Sequence, residues 1–250
     1  MSTTPVVAAS VPEIPEPINH FGRLIGVFFS PKATFEDIVR RPSWILPVIV
    51  MSILGLAVAF VMNQRVDWRD VASKRIEASP RAANLSADQK EQQIAMSAKI
   101  SPIFAYVFGT LGAILAVLVV AAVMLLAYNL IGGVGGKFGA AMGIVSHAFF
   151  VTILSTLLFI LILYLKPPGT VDIENPVATN VGAFLPEGTS KPVMSLATSI
   201  DVFSAWILLL ISIGFTAVNP KKLKGKALSI AISVWAVYVA VKVGLAWIFS

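Results

Sequence analysis

Two ionisable residues stand inside long apolar stretches of the chain, where a charge is costly. Asp201 lies in the stretch that ends at Asn219-Pro220, and Lys242 lies in the last apolar stretch. An ionisable side chain near the centre of a membrane helix costs about 2.5–3.5 kcal/mol on insertion scales, so such residues pair with each other or line a pathway. These two residues are therefore the first candidates for chemistry.

The spacing of Asp201 and Lys242 predicts that they lie at the same depth. Asp201 is 20 residues before Lys221 and Lys242 is 20 residues after Lys222, on two helices that should form an antiparallel hairpin. This geometry predicts an interhelical ion pair in the outer half of the bilayer. A transport or proton-relay role and separate snorkelling to the interface are the alternatives. Contact between the two residues in a dry interior would favour a scaffold, whereas a water-accessible cavity reaching either residue would favour transport.

A glycine-rich run separates two other apolar stretches. Its glycines are Gly132, Gly133, Gly135 and Gly136. A phosphate-binding loop needs G-x-x-x-x-G-K-[ST], but Ile131 replaces the first glycine and Phe138 replaces the hydroxyl. The run therefore predicts a tight turn between two spans. Gly139 and Gly143 follow at helical spacing and predict a small-residue surface for close packing, within the bundle or between copies of the chain.

No residue pattern indicates an enzyme or a metal site. The chain has no cysteine and two histidines, and His147 has no second histidine or carboxylate at helical spacing, whereas zinc needs three or four ligands. A hydrogen bond between helices is the expected role of His147. Paired carboxylates and a HExxH motif are also missing. We therefore predict no catalytic, cofactor or metal residues and a non-enzymatic protein.

The composition describes a membrane protein. Hydrophobic residues make up 57% of the chain and charged residues 13%, with a mean hydropathy of +0.85. A soluble domain carries about 25% charged residues, so a soluble enzyme of this size is excluded. The net charge is +6, but the basic residues flank apolar blocks and form no face interleaved with aromatic residues. We predict contacts with lipid headgroups and no nucleic-acid partner.

The uncharged blocks predict an all-α integral membrane bundle with five transmembrane helices. The predicted spans are residues 44–63, 103–126, 138–165, 196–218 and 227–249. The intervening loops 64–101 and 166–195 are polar. Ser86 and Gln89 have the spacing of a capping box and predict a helix within the first loop.

The amino-terminal region divides into an arm and two short helices. Residues 1–17 contain four prolines and no basic residue, which predicts a disordered polar arm, and residues 18–250 form the membrane domain. Apolar residues at helical spacing after Ile18 predict a helix in the membrane interface. Ser30-Pro31 then predicts the start of a second short helix that ends at Arg40-Arg41.

The basic residues predict which end faces the cytoplasm. Total counts on the two sides are equal, at nine each, so the density of charge decides. The tightest clusters, Arg40-Arg41 and the lysines of residues 221–226, are separated by four spans and must share a face. This pattern predicts a cytoplasmic N-terminus and an outside C-terminus.

Several short segments resemble the Yip (Ypt/Rab-interacting protein) domain family in its bacterial form. They are the SPKATF run at residues 30–35, Pro42-Ser43-Trp44 at the mouth of the first span, and NLIGGVGGKF at residues 129–138. The resemblance extends from about Phe21 to the C-terminus and implies an all-helical, five-span protein of the bacterial cytoplasmic membrane. Eukaryotic relatives act with small GTPases in vesicle traffic, but the arm contains no motif that would contact a GTPase.

The resemblance implies a membrane-organising or adaptor protein that acts through lipids and partner proteins. The lipid bilayer, other membrane or peripheral proteins, and further copies of the chain are the expected partners, and no cofactor is expected. The alternative is a small transporter or channel component that uses Asp201 and Lys242, although few polar residues would face a transport path.

Overall fold

Helices account for nearly all of the ordered structure. The computed structural model describes residues 16–171, 173, 175–186 and 188–248, so almost all of the predicted arm (residues 1–17) lies outside the described residues. Within the described ranges the chain forms α-helices joined by loops and short 310 turns, with no strand. The helices are α1 (His20–Phe29), α2 (Pro31–Arg40), α3 (Ile45–Arg65), α4 (Trp68–Glu77), α5 (Ala87–Leu130), α6 (Phe138–Phe149), α7 (Ile153–Leu165), α8 (Lys191–Ser199), α9 (Val202–Val218), α10 (Pro220–Leu223) and α11 (Ala227–Ile248).

The long apolar helices confirm the prediction of an all-α membrane bundle. Four segments are long and apolar enough to cross a membrane: α3, α5, the continuous segment formed by α6 and α7, and α11. Helix α9 is also apolar but has only 17 residues, or about 25 Å of helix. The 44 residues of α5 far exceed one crossing, because its polar first turns begin within the predicted loop 64–101.

The predicted capping box explains where α5 begins. The backbone N–H of Gln89 donates to Ser86 Oγ at 3.2 Å, and the backbone N–H of Ser86 donates to Gln89 Oε1 at 2.9 Å. Both bonds satisfy donors that the first turn of a helix leaves free. The loop is therefore partly helical, as predicted, and α4 packs against the start of α5 through an ion pair between Arg69 and Glu91.

A 310 turn at residues 150–152 separates α6 from α7 within the third predicted span. No proline or glycine lies there, but hydroxyl groups bond to the preceding turn. Thr152 Oγ1 donates to the carbonyl of Phe149 at 2.8 Å, and Thr156 Oγ1 donates to the carbonyl of Thr152 at 2.9 Å. Such bonds compete with the backbone ladder and bend helices. The third predicted span therefore continues from α6 into α7 through one tighter, 310 turn.

Helices α1 and α2 form a tight hairpin that enters the bundle. Ser30 and Pro31 make the turn between them, as predicted, and a Cβ at Gly26 would collide with Thr34 Oγ1. At the tip, the Phe28 ring lies edge-on to Phe150 and Trp206, at centroid distances of 6.1 and 5.7 Å. The tip of the hairpin thus packs against α9 and the turn after α6, while apolar residues of α1 remain exposed on its outer face.

The two ends of the bundle differ in their loops. We call one end the hairpin end, because the open end of the α1–α2 hairpin lies there with residues 131–137 and 219–226. The opposite end carries residues 66–86 and 166–190, and we call it the loop end.

The main hydrophobic core lies in the hairpin-end half. It takes residues 117–128 of α5, 210–215 of α9 and 227–231 of α11, together with most of α6. Phe35 and Ile38 of α2 are fully buried in the same cluster. The hairpin therefore completes the packing of this half of the bundle, and the loop-end half is packed less tightly.

Arg65 ties α3 to α7 at the loop end. Its guanidinium donates to the carbonyl oxygens of Leu163, Tyr164 and Lys166 at 3.0, 3.1 and 3.3 Å. Carbonyls in the last turn of a helix have no partner within the helix, and a cation is favoured beside them. This contact holds the end of α3 against the end of α7.

Candidate functional site

Asp201 and Lys242 do not form the predicted ion pair. Lys242 Nζ donates instead to Ser199 Oγ at 3.0 Å and to Thr198 Oγ1 at 3.3 Å. Asp201 accepts a hydrogen bond from Thr179 Oγ1 at 2.6 Å. Both residues lie in the loop-end half of the bundle, but each side chain has its own polar partners.

Asp201 also lies at a break in the predicted fourth span, residues 196–218. Helix α8 ends at Ser199, and Asp201 is the N-cap of α9, where its Oδ2 accepts the backbone N–H of Ser204 at 3.0 Å. The loop 179–181 pairs with residues 200–202 and satisfies the backbone groups that the break exposes. A single continuous helix was therefore the wrong prediction, because an aspartate beside free N–H groups is more stable as a cap than inside a span.

Both residues line a cavity of about 800 Å³ between the helices. Helices α3, α5, α7, α9 and α11 and the loop 175–180 form its walls. It exists because α9 does not pack closely on α5 or α7 in this half of the bundle. Its polar lining includes Ser155, Thr156, Thr179, Thr198, Asp201 and Lys242, and its apolar lining includes Val58, Met62, Phe108, Phe159 and Phe203.

Polar side chains that line the cavity have hydrogen-bond donors and acceptors that remain unused. An ammonium group has three donors, and Lys242 uses two of them on hydroxyl groups. Each carboxylate oxygen of Asp201 accepts one bond and can accept another. Asn180 lies on the same wall, and its side-chain oxygen is buried without a partner among the described residues. A ligand with both donor and acceptor groups would therefore find partners here.

The glycine run forms the predicted tight turn at the hairpin end. Gly133 and Gly135 have φ values of +61° and +68°, a conformation that favours glycine. The side chain of Asn129 holds the turn by accepting from the N–H of Gly136 at 2.8 Å and donating to its carbonyl at 3.2 Å. The sequence did not predict that Lys222 Nζ donates to the carbonyl of Gly133 at 2.6 Å, which joins the lysine cluster to this turn.

The remaining glycines of this region serve packing. A Cβ at Gly132 would approach Leu223 and Ile230, while Gly143 lies against Ile38 of α2 and the backbone of Ser43. Gly139 lies near Pro42, with more space around it. The Gly139–Gly143 surface therefore receives the hairpin and the α2–α3 connection of the same chain.

His147 is buried at the hairpin end but does not join two helices. Its Nδ1 lies 2.8 Å from the carbonyl oxygen of Gly143, one turn earlier in α6. The expected hydrogen bond between helices is thus replaced by one within the helix. Over the described residues, no group of three or more His, Asp or Glu side chains has metal-binding geometry.

A buried ion pair within the hairpin is the main polar feature that sequence reasoning missed. Arg23 Nη2 lies 2.7 Å from Asp37 Oδ2, and the two side chains are only 3% and 8% exposed. Arg23 Nη1 also donates to the carbonyl of Arg41 at 2.9 Å and to Ser43 Oγ at 2.5 Å. The sequence feature that could have predicted this pair is one charged residue on the apolar face of each short helix. Arg23, for example, lies one helical turn before the buried Val27.

The comparisons with known proteins agree with this architecture. The family model of the Yip1 domain matches residues 25–245, which is most of the chain. The matched range includes the predicted motif segments 30–35, 42–44 and 129–138, and it runs from the hairpin through α11. No curated protein and no solved structure matches the chain. The chain therefore belongs to the Yip1 domain family and is an integral multi-pass membrane protein.

Proposed function

We propose that the protein is a non-enzymatic organiser of the bilayer, in which the α1–α2 hairpin is inserted into one leaflet. The tip of the hairpin carries the proposal. Phe28 contacts Phe150 and Trp206, and each of these lies twelve residues, or about 18 Å of helix, from the hairpin-end limit of its segment. A tip at that depth lies near the middle of a hydrocarbon core about 30 Å thick.

The outer face of α1 supports contact with lipid. Phe21, Ile25 and Phe29 recur every four residues and are 69%, 62% and 82% exposed. On the opposite face, Leu24 and Val27 are buried in the bundle. The exposed face of α1 beyond His20 is therefore apolar, and hydrocarbon is the stable environment for that face. A ten-residue helix is about 15 Å long and occupies one leaflet only.

A hairpin confined to one leaflet widens the protein in that leaflet. An inserted hairpin would add area to the hairpin-end leaflet, and added area in one leaflet favours a membrane in which that leaflet lies on the convex side. This is the physical route by which we propose that the protein organises the bilayer. Other proteins that bind the hairpin end would act through the same surface.

We further propose that the hairpin end faces the cytoplasm, in the cytoplasmic membrane of a bacterium. Arg40 and Arg41 lie at the open end of the hairpin, and the lysine cluster of residues 221–226 lies in the α9–α11 connection at the same end. Clusters of basic residues are retained on the cytoplasmic side. The hairpin would then lie in the inner leaflet, beside anionic headgroups.

Vesicle curvature tests the proposed function. We expect the purified full-length protein, inserted with its hairpin end in the outer leaflet of the vesicle, to be enriched in small vesicles over large ones. The triple variant Phe21→Ala, Ile25→Ala, Phe29→Ala should lose at least half of that enrichment. The measurement is the ratio of labelled protein to labelled lipid in single vesicles of known diameter.

The matched control is a triple variant on α7. Leu157, Leu161 and Leu165 are also exposed and have the same spacing, but they lie in the loop-end half. Their replacement by alanine should preserve the enrichment. Equal enrichment of the wild type in all vesicle sizes, or equal effects of the two triple variants, would contradict the proposal.

Transport is the second candidate, and the cavity is the observation that favours it. The absence of an Asp201–Lys242 pair and the presence of a cavity that reaches both are the features expected of a transporter. The buried core of the hairpin-end half closes the other side, with Val117, Ile144 and Leu210 at most 1% exposed. Uptake of a solute into proteoliposomes, abolished by Asp201→Asn, would support this candidate.

A further inference from the structure

The cavity of the loop-end half combines charges with an apolar wall in one site. We propose that it binds a phosphate ester that carries a primary ammonium group, supplied as the headgroup of a phosphatidylethanolamine-type lipid of the loop-end leaflet. The phosphate contacts Lys242 and the ammonium group contacts Asp201. This inference goes beyond the proposed function, since it does not involve the α1–α2 hairpin.

Lys242 supplies the anion-binding part of the site. Its ammonium group is half-buried, and its hydrogen-bond partners in the described part of the chain are the neutral hydroxyls of Thr198 and Ser199. Among the described residues no carboxylate forms an ion pair with it, so its charge is not neutralised within that part of the chain. A charge held away from bulk water attracts a counter-ion strongly, and its remaining donor can bind a phosphate oxygen.

Asp201 supplies the cation-binding part. Its two oxygens are oriented by Thr179 Oγ1 and by the N–H of Ser204, and each retains a lone pair. The isolated bridge between Asn180 and Asp201 fixes the backbone of this residue, so the carboxylate is held in place before a ligand arrives. A primary ammonium group can donate several hydrogen bonds here, whereas a trimethylammonium group can donate none.

The separation of the two charges selects a ligand that has both. If Asp201 and Lys242 were paired, each would satisfy the other and neither would attract a charged headgroup. Because they line one cavity without contact, a ligand with an anionic and a cationic group can neutralise both. A phosphoglycerol headgroup offers only the anionic group, so it would leave the carboxylate without a cation.

The apolar wall explains why the source would be a lipid. Met62, Phe108 and Phe159 line the cavity beside the polar groups, and α5 and α11 have outward-facing apolar residues at this height. The cavity is open to its surroundings, so acyl chains attached to a bound headgroup can extend into the hydrocarbon around the bundle. A free headgroup would satisfy the polar groups but would place no apolar group against this wall.

Lipid binding to the purified full-length protein tests the inference. We expect native mass spectrometry to show that phosphatidylethanolamine binds about tenfold more tightly than phosphatidylglycerol or phosphatidylcholine of the same chain length. Asp201→Asn should remove this preference without weakening the binding of phosphatidylglycerol. Lys242→Met should weaken the binding of all three lipids. Lys242→Arg retains the charge and should bind them as the wild type does.

Matched controls separate the site from a general effect of charge. Asp88→Asn and Lys224→Met change exposed charges far from the cavity and should leave the lipid preference unchanged. Equal binding of the three lipids by the wild type, or a preference that survives Asp201→Asn, would overturn the inference. Binding of soluble glycerophosphoethanolamine as tight as that of the lipid would support the phosphate and ammonium chemistry but assign it to a soluble ligand.

The same variants distinguish this inference from the proposed function. Asp201→Asn should leave the enrichment in small vesicles unchanged, because the hairpin is intact. The α1 triple variant should leave the lipid preference unchanged, because the cavity is intact. Each idea can therefore fail while the other holds.

Discussion

Replacement of Asp37 by alanine should lower the free energy of unfolding by about 3–5 kcal/mol, since it would leave the buried charge of Arg23 without its partner. Arg23 is 3% exposed and contacts Asp37 through both Nε, at 2.8 Å, and Nη2, at 2.7 Å. Without the carboxylate, the carbonyl of Arg41 and the hydroxyl of Ser43 would remain as its partners. Neither of these groups carries a charge.

Unfolding of the detergent-solubilised protein by denaturant would measure this effect. The control is Glu36→Ala on the same helix, because the Arg40–Glu36 pair is exposed and should contribute at most about 1 kcal/mol. The double variant Arg23→Met, Asp37→Leu should be more stable than Asp37→Ala alone, since it removes both charges. Equal effects of Asp37→Ala and Glu36→Ala would show that the hairpin does not hold the pair in a buried position.

Replacement of Gly109 by alanine should lower stability by about 1–3 kcal/mol, because it would force α3 and α5 apart. The two helices are in close contact at Gly55 and Gly109, where a Cβ on either residue would collide with the backbone carbonyl of the other. A carbonyl in a helix cannot move aside as a flexible side chain can. Small residues permit such contacts between membrane helices.

Gly112 provides the matched control, one turn further along α5. A Cβ there meets no atom within 4 Å, so Gly112→Ala should leave stability unchanged or raise it by up to about 1 kcal/mol through helix propensity. Thermal unfolding of the two variants in the same detergent would compare them. A loss of stability in both, or in neither, would contradict the close approach of α3 and α5.

Local patterns explain which parts of the fold could be predicted. The uncharged blocks locate α3, α11 and the continuous α6–α7 segment to within a few residues, since crossing a bilayer requires length and composition alone. The Ser86 capping box and the Ser30-Pro31 turn depend on residues that are adjacent or three apart. The glycine turn likewise depends on residues next to one another.

Contacts between distant residues explain what could not be predicted. The break at Asp201 is held by Thr179, which comes 22 residues earlier, so no local pattern revealed it. The ion pair of Arg23 with Asp37 joins two helices, and its burial depends on how the hairpin packs on α6 and α9. The cavity exists because neighbouring helices diverge, which the sequence of a single helix does not encode.

The depth of residue 29 in a bilayer tests the account most directly. The chain has no native cysteine, so a single Phe29→Cys substitution can carry a nitroxide label without competing sites. Phe29 is 82% exposed in the structure, so the label should not disturb packing. Its accessibility to oxygen and to a water-soluble paramagnetic reagent gives its depth, with labels at His20→Cys and Lys224→Cys as interfacial references.

A label at residue 29 should be accessible to oxygen and protected from the water-soluble reagent, as expected near the bilayer centre. In intact cells, a membrane-impermeant thiol reagent should leave Lys224→Cys unmodified, as expected for a cytoplasmic hairpin end. Accessibility of residue 29 to the water-soluble reagent equal to that of residue 20 would contradict the inserted hairpin. Modification of Lys224→Cys from outside would contradict the proposed orientation.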